Sequence, residues 1–449
     1  MLRNTLQQRR SFAIATSAVS YKRVGDQVSS APAAVKSVTS AANGVKIATL
    51  DGRGPASQVA VVVGAGARHE AKAGVAHLLK ASLIRARPGD NVVRAVREFE
   101  LRGNTLYTAV SRENTLIASS FLRDDLVDVV PGLVSQVFNP SFQPYEFLDA
   151  IPGVEAETAA SLEDPTTRVL DSLHSVAFRR GLGNSLFATP DALHHLKRAD
   201  LQAFAASHFT ADNIAVVGSG VAHEELEALV NSAFEGFSIP STSSASQTAS
   251  SYYGGEVRIA GSSSASHLAI GFKSAAFTNT KSYATALVLR ALLDGSHRVK
   301  WGATSGATGL LAAAAAPGTN VSAFQTSYTD AGLFGLHIQG NASNVKSVAQ
   351  KSVEAVKRAA SSVSDADLAR AKKIAIVDYE LGQSRDELVA DIARQVLASG
   401  NFVTVAELAA EISRVSASEV AQAAQALLSS KASVVSYGDL NKLPYADEL

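Results

Sequence analysis

Val45-Lys46-Ile47-Ala48 returns further along the chain as Val257-Arg258-Ile259-Ala260, and each copy leads into an apolar strand, Gln58 to Val63 and then His267 to Phe272. The period is roughly 210 residues, far longer than a solenoid repeat, so the chain carries two copies of one domain. The correspondence continues. The strand-like stretch Tyr107 to Ala118, with Ser111-Arg112-Glu113 inside it, matches Phe324 to Gly335 with Tyr328-Thr329-Asp330. Each copy closes alike. Leu196-Lys-Arg198, an amphipathic helix and the strand Ile214-Ala-Val-Val-Gly218 answer to Ile412-Ser-Arg414, a helix and Ser433-Val-Val-Ser-Tyr-Gly438. Strand runs alternate with helical runs such as Val345 to Ala360 and Ala366 to Tyr379. That pattern predicts an α+β fold, with sheets covered by helices in each copy. Between the copies, Phe237 to Tyr252 is rich in Ser and Thr, lacks periodicity and reads as a flexible linker. The expected units are residues 43–236, a linker over 237–251 and a second domain over 252–438.

Composition narrows the function. Lys+Arg and Asp+Glu balance at 41 each, so no basic excess points to nucleic acid. Apolar runs such as Val59 to Val63 and Leu310 to Ala316 are short, well below the ~20 residues of a membrane span. The chain has no cysteine, which excludes disulfides, thiolate metal sites and a cysteine nucleophile. Before Asp26 the chain carries Arg3, Arg9, Arg10, Lys22 and Arg23 and no acid. Arginines beside an apolar helix face, without the continuous core of a secretory signal, predict a mitochondrial presequence over residues 1–12 and a mature start near Ala13. The terminal Ala446-Asp447-Glu448-Leu449 resembles a retrieval signal of secreted chains and is set aside.

Residues 74–85, Gly-Val-Ala-His77-Leu-Leu-Lys80-Ala81-Ser-Leu-Ile-Arg, predict a helix whose His77 stands where His-x-x-Glu-His places its first zinc ligand. That motif sets two histidines at i and i+4 on one helix face, with a glutamate between them to polarise the metal-bound water. Here Lys80 replaces the base and Ala81 the second ligand. An ammonium repels a divalent cation and accepts no proton, and alanine has no lone pair.

Repeat, presequence and altered motif together resemble the pitrilysin-type peptidases. The resemblance runs over nearly the whole chain, through Ala65-Gly66-Ala67-Arg68-His69-Glu70, Ser111-Arg112-Glu113-Asn114, Asn184-Ser185-Leu186-Phe187, Tyr253-Gly254-Gly255-Glu256-Val257-Arg258, Ser327 to Gly335 and the tail from Gly438. It implies two pitrilysin-like domains arranged as a bowl, each with a mixed, mostly antiparallel sheet. Within the family it points to the non-catalytic core proteins of mitochondrial complex III. It therefore implies a structural subunit peripheral to the matrix side of the inner membrane, with core protein 1 and other complex III subunits as partners in a dimeric complex. The implied alternative is the non-catalytic subunit of a mitochondrial processing peptidase. The mark of that subunit is a glycine-rich substrate loop, and Asp294 to Gly306 here carries bulky Arg298, Lys300 and Trp301. In active members a distal glutamate completes the zinc site on a helix preceding a Leu-His pair, for which Leu173-His174 is the anchor and Glu157 the match. His77 and Glu157 alone leave zinc two ligands short. No catalytic, cofactor-binding or metal-binding residue is therefore expected.

Other local signals favour plain structural readings. Val63-Gly64-Ala65-Gly66 follows a strand, but His69 stands at the third glycine position of a dinucleotide fingerprint, so these are turn glycines. His194-His195 lack a carboxylate at ligand spacing and read as helix surface, while Ser185 and Ser305 lack the Gly-x-Ser-x-Gly elbow. Haem and iron-sulfur ligation would need Cys or suitably placed His pairs, so redox chemistry is left to partners. An enzyme of unusual metal chemistry and a presequence-binding module are the competing classes.

Overall fold

The computed structural model describes residues 34–449 apart from 42, 53, 85–91, 139–141, 236–239, 241–247, 262, 264, 295 and 297–308. The expected presequence, Ser305, most of the linker and most of the 294–306 stretch lie outside the described residues.

The first half holds β1 (Val35–Ser40), β2 (Lys46–Asp51), β3 (Ala56–Val63), β4 (Thr105–Val110), β5 (Thr115–Leu122) and β6 (Ile214–Ser219). Its helices are α1 (Val75–Ser82), α2 (Val92–Glu100), α3 (Leu126–Phe138), α4 (Pro144–Glu163), α5 (Pro165–Phe178), α6 (Pro190–His195), α7 (Arg198–His208) and α8 (His223–Phe234). The second half holds β7 (Gly255–Ala260), β8 (Ser266–Ser274), β9 (Thr319–Ser327), β10 (Gly332–Gly340) and β11 (Ser433–Gly438). Around them lie α9 (Thr280–Leu293), α10 (Ala342–Ser361), α11 (Asp365–Gly382), α12 (Arg385–Ser399), α13 (Val405–Arg414) and α14 (Ala417–Ser429).

The sheet orders are β1-β2-β6-β3-β5-β4 and β7-β11-β8-β10-β9. Each sheet has one parallel pair, β2 with β6 and β7 with β11, and is otherwise antiparallel. The second sheet thus repeats the first strand for strand, without the edge strand β1, which begins ahead of residue 43.

One sequence expectation needs correcting. Tyr107 to Ala118 and Phe324 to Gly335 are hairpins rather than single strands. Ser111 N–H donates to Asn114 O at 2.7 Å, and Tyr328 N–H to Ala331 O at 2.8 Å. Polar residues at each tip favour the tight turn, while the apolar residues on either side hide it from a periodicity reading.

Each sheet is covered on both faces, and the second cover comes from the opposite half. Val59, Val61 and Val63 of β3 pack into the first half's own core. Ala60 and Val62 point the other way, onto Val389, Ile392 and Val396 of α12. In the second sheet, Leu268, Ile270 and Phe272 face that half's helices. Ala269, Leu333 and Val435 instead meet Val169, Leu173 and Val176 of α5. A strand buried on both faces has no polar face to show, which is why Val59 to Val63 is an unbroken apolar run. The caps fix where the lent helices begin. Asp164 accepts from the N–H groups of Thr166 and Thr167 with Pro165 opening α5, and Ser384 forms a capping box with Glu387 at α12.

Candidate functional site

The altered motif lies on α1, and the local chain builds it tightly. Glu70 accepts from Gly74 N at 3.0 Å and Ala76 N at 2.8 Å, satisfying the open start of the helix. Burial pushes the Glu70 carboxyl up to about 7, although these two bonds oppose it. Gly74 has φ +83°, and a Cβ there would meet Ala188, so glycine is required.

His77 is 2% exposed, its ring edge-on to Phe187. Ala188 N–H donates to His77 Nδ1 at 3.1 Å. A nitrogen that accepts cannot carry the proton, so Nε2 carries it and donates to Glu157 Oε2 at 3.2 Å. Burial holds the imidazole below its ordinary pKa, against a raising contribution from Glu157. A metal ligand needs the reverse arrangement, with the lone pair on the nitrogen facing the ion and the proton on the other.

Lys80 completes the cluster. Its Nζ lies 2.5 Å and 2.7 Å from Glu157 Oε1 and Oε2. Burial would raise the Glu157 carboxyl, but hydrogen bonds from Lys80 and His77 outweigh it and hold the group below its ordinary value. The structure therefore brings His77, Lys80 and Glu157 together as the sequence led one to expect. An ammonium stands where the carboxylate of α4 would meet a cation, and Ala81 packs against the first core.

The remaining expected positions separate. Leu173 and His174 sit on α5, away from α1. Leu173 is fully buried against the second sheet, and His174 bonds Leu170 O through Nδ1 at 2.7 Å and Tyr328 OH through Nε2 at 2.9 Å. Burial, with Arg112 nearby, pushes His174 down to about 3. Ser185 donates to Asp171 at 2.6 Å, and Asp171 also holds Arg112 at 2.6 Å, so this serine fixes a loop. His194 and His195 are exposed at the end of the short α6. Gly64 abuts Asn213 and Gly66 abuts the Arg112 backbone, both close approaches of chain to chain.

Sequence reading missed the hub that joins the halves. Arg68 binds Glu113 at 2.7 Å and Asp330 at 2.6 Å and donates to Thr248 O at 3.0 Å. Glu113 accepts from Thr329 N at 3.1 Å and Thr329 Oγ1 at 2.5 Å. Burial lowers the Arg68 pKa, but Asp330 and Glu113 outweigh it and raise it. Glu113 and Asp330 are at matching hairpin tips, so the internal repeat itself was the available signal.

A repeated, helix-covered mixed sheet with a histidine-bearing helix after its third strand defines a class, and comparison confirms it. Residues 46–190 match the description "Insulinase (Peptidase family M16)", and residues 195–375 match "Peptidase M16 inactive domain". The chain belongs to the M16 peptidase family. Within it, the chain is 38% identical to cytochrome b-c1 complex subunit 2, mitochondrial, of Cryptococcus neoformans, covering 92% of this chain and 94% of the relative. Mitochondrial-processing peptidase subunit alpha of Solanum tuberosum is 29% identical, covering 91% of this chain and 83% of the relative. A chain of complex III2 from Candida albicans, solved with Inz-5 bound, superposes with TM-score 0.81 at 20% identity, over 92% of this chain and 98% of that one. That likeness confirms the fold.

Proposed function

We propose that the chain is a non-catalytic structural subunit of the mitochondrial cytochrome b-c1 complex (complex III), required for its assembly and so for respiratory electron transport. The observation that carries this reading is 38% identity to a subunit 2 over 94% of that relative's length. The geometry of α1 agrees. Hydrolysis would need a base and a second ligand beside His77; Lys80 and Ala81 supply neither, and the Ala188 N–H fixes the imidazole in the tautomer that cannot ligate through Nε2. Losing a general base alone costs on the order of 10²–10⁴ in rate.

The partners are a core protein 1-type subunit and the other complex III subunits, in a dimeric complex like the one whose chain shares this fold. Attachment is peripheral, on the matrix side of the inner membrane; among the described residues no helix is long and apolar enough to cross a membrane. Residues 1–12 act as a presequence, leaving a mature chain that begins near Ala13, with the domains at 43–236 and 252–438 joined by 237–251. Deleting the gene should lower assembled cytochrome b and leave presequence processing intact. Precursor accumulation with complex III whole would favour the processing-peptidase alternative. N-terminal sequencing of the mitochondrial protein that returned Met1 would refute the presequence.

A further inference from the structure

The helices that lead into β6 and β11, α7 and α14, can be registered by their first turns. Asp200 of α7 accepts from Lys197 N at 2.9 Å and holds Lys72 at 2.6 Å. Glu419 of α14 accepts from Ser416 N at 2.8 Å and holds Lys281 at 2.6 Å. Counting on from these acids sets Ala423 against Phe204 and Leu427 against His208. In the first half Phe204 and His208 lie with ring centroids 4.4 Å apart at a tilt of 41°, and His69 lies 5.5 Å beyond, so aromatic rings occupy the position that Ala423 holds in the second half. The second half has no ring at Ala423. Its connection into α13 is also shorter, residues 400–404 against 179–189 before α6. What remains open is a groove of about 820 Å³ between the end of β8, α9 and α14.

The chemistry of the groove is asymmetric. Leu289, Phe334 and Leu427 are buried along it, and the small Ala286, Ala423 and Ala426 give it depth. At its mouth Lys281 is neutralised by Glu419, whereas Lys273 is exposed and its ammonium has no partner among the described residues. A concavity of about 300–1,000 Å³ with an apolar floor and a few placed polar or charged groups is the usual form of a small-ligand site. The geometry points to a site for a single-chain anionic amphiphile, with its tail between α9 and α14 and its head on Lys273. The apolar floor gains by losing contact with water, and the free ammonium selects an anionic head over a neutral or cationic one. This site is independent of the function proposed above.

The test is titration of the full chain with cis-parinaric acid in detergent-free buffer, read by its fluorescence. Saturable one-to-one binding is expected. Ala423→Phe restores the bulk of the first half and should weaken binding at least roughly tenfold. Lys273→Glu, a surface change that leaves the fold intact, should weaken it by roughly fivefold, as for a partly exposed ion pair. Laurate and lauroyl lysophosphatidylglycerol should both displace the probe, their ranking separating a free carboxylate from a phosphate head, and dodecyltrimethylammonium should not. No saturable binding, equal binding by wild type and a folded Ala423→Phe, or displacement by the cationic surfactant would overturn the inference.

Discussion

The two halves share a strand order yet treat the same helix pair in opposite ways. In the first half Phe187, Ala188, Phe204 and His208 gather around α1, and the ionisable cluster of the altered motif is closed on itself as His77, Glu157 and Lys80. In the second half the counterpart of α1, helix α9, carries Thr285, Ala286 and Leu289 and borders an open groove. The difference teaches that topology was retained by the sheet and its lent helices, while chemistry at the helix surfaces was free to drift.

The largest effect should come from the hub. Arg68→Ala leaves Glu113 and Asp330 facing each other with no cation, and breaking a buried pair in this way costs about 3–5 kcal/mol. Denaturant unfolding should show the loss, and an unchanged midpoint would mean that the hairpin tips do not hold the halves. Next is Leu173→Ala on α5. It removes a fully buried side chain from the second sheet, at about 2–5 kcal/mol, and a matching deletion on the outer face of the same helix should cost far less.

Acid should loosen the same interface. His174 is pushed to about 3, chiefly by burial, and His337, whose Nε2 lies 3.2 Å from His267 Nδ1, to about 4, also by burial. Below an unfolded value of about 6.5 the unfolded chain binds protons that these buried rings refuse. Stability is therefore intact above pH 6.5 and falls as pH drops toward 3–4, by up to about 1.4 kcal/mol per pH unit for each ring. Melting temperatures from pH 8 to 4 check this, and His174→Gln should flatten the slope. The smallest effect belongs to the altered motif. Lys80→Ala should change stability by under about 1 kcal/mol, because Glu157 is half exposed. Neither wild type nor this variant should retain stoichiometric zinc through dialysis, as measured by elemental analysis.

How much of this was legible before the structure depended on whether the signal was local. The repeat, the closing helix and strand of each half and the approach of Glu157 to His77 follow from residue order, because each rests on short-range periodicity or on a family pattern. The hairpin turns were hidden because apolar residues run up to both sides of Ser111–Asn114 and Tyr328–Ala331. The exchange of α5 and α12 was invisible, since an amphipathic helix looks the same whichever sheet it covers. The Arg68 hub was missed although the internal repeat sets its two carboxylates, Glu113 and Asp330, at matching hairpin tips. The groove beside α14 could have been suspected by aligning the first-turn acids Asp200 and Glu419 and noticing Ala423 opposite Phe204.

The central claim is that this chain supports a respiratory complex and performs no hydrolysis. Affinity purification of the tagged chain from mitochondrial membranes in mild detergent, with haem measured in the eluate, tests it most directly. The expected result is b- and c-type haem in fixed stoichiometry with the chain, and no zinc-dependent peptide cleavage. An eluate free of haem that binds or cleaves presequence peptides would contradict the account.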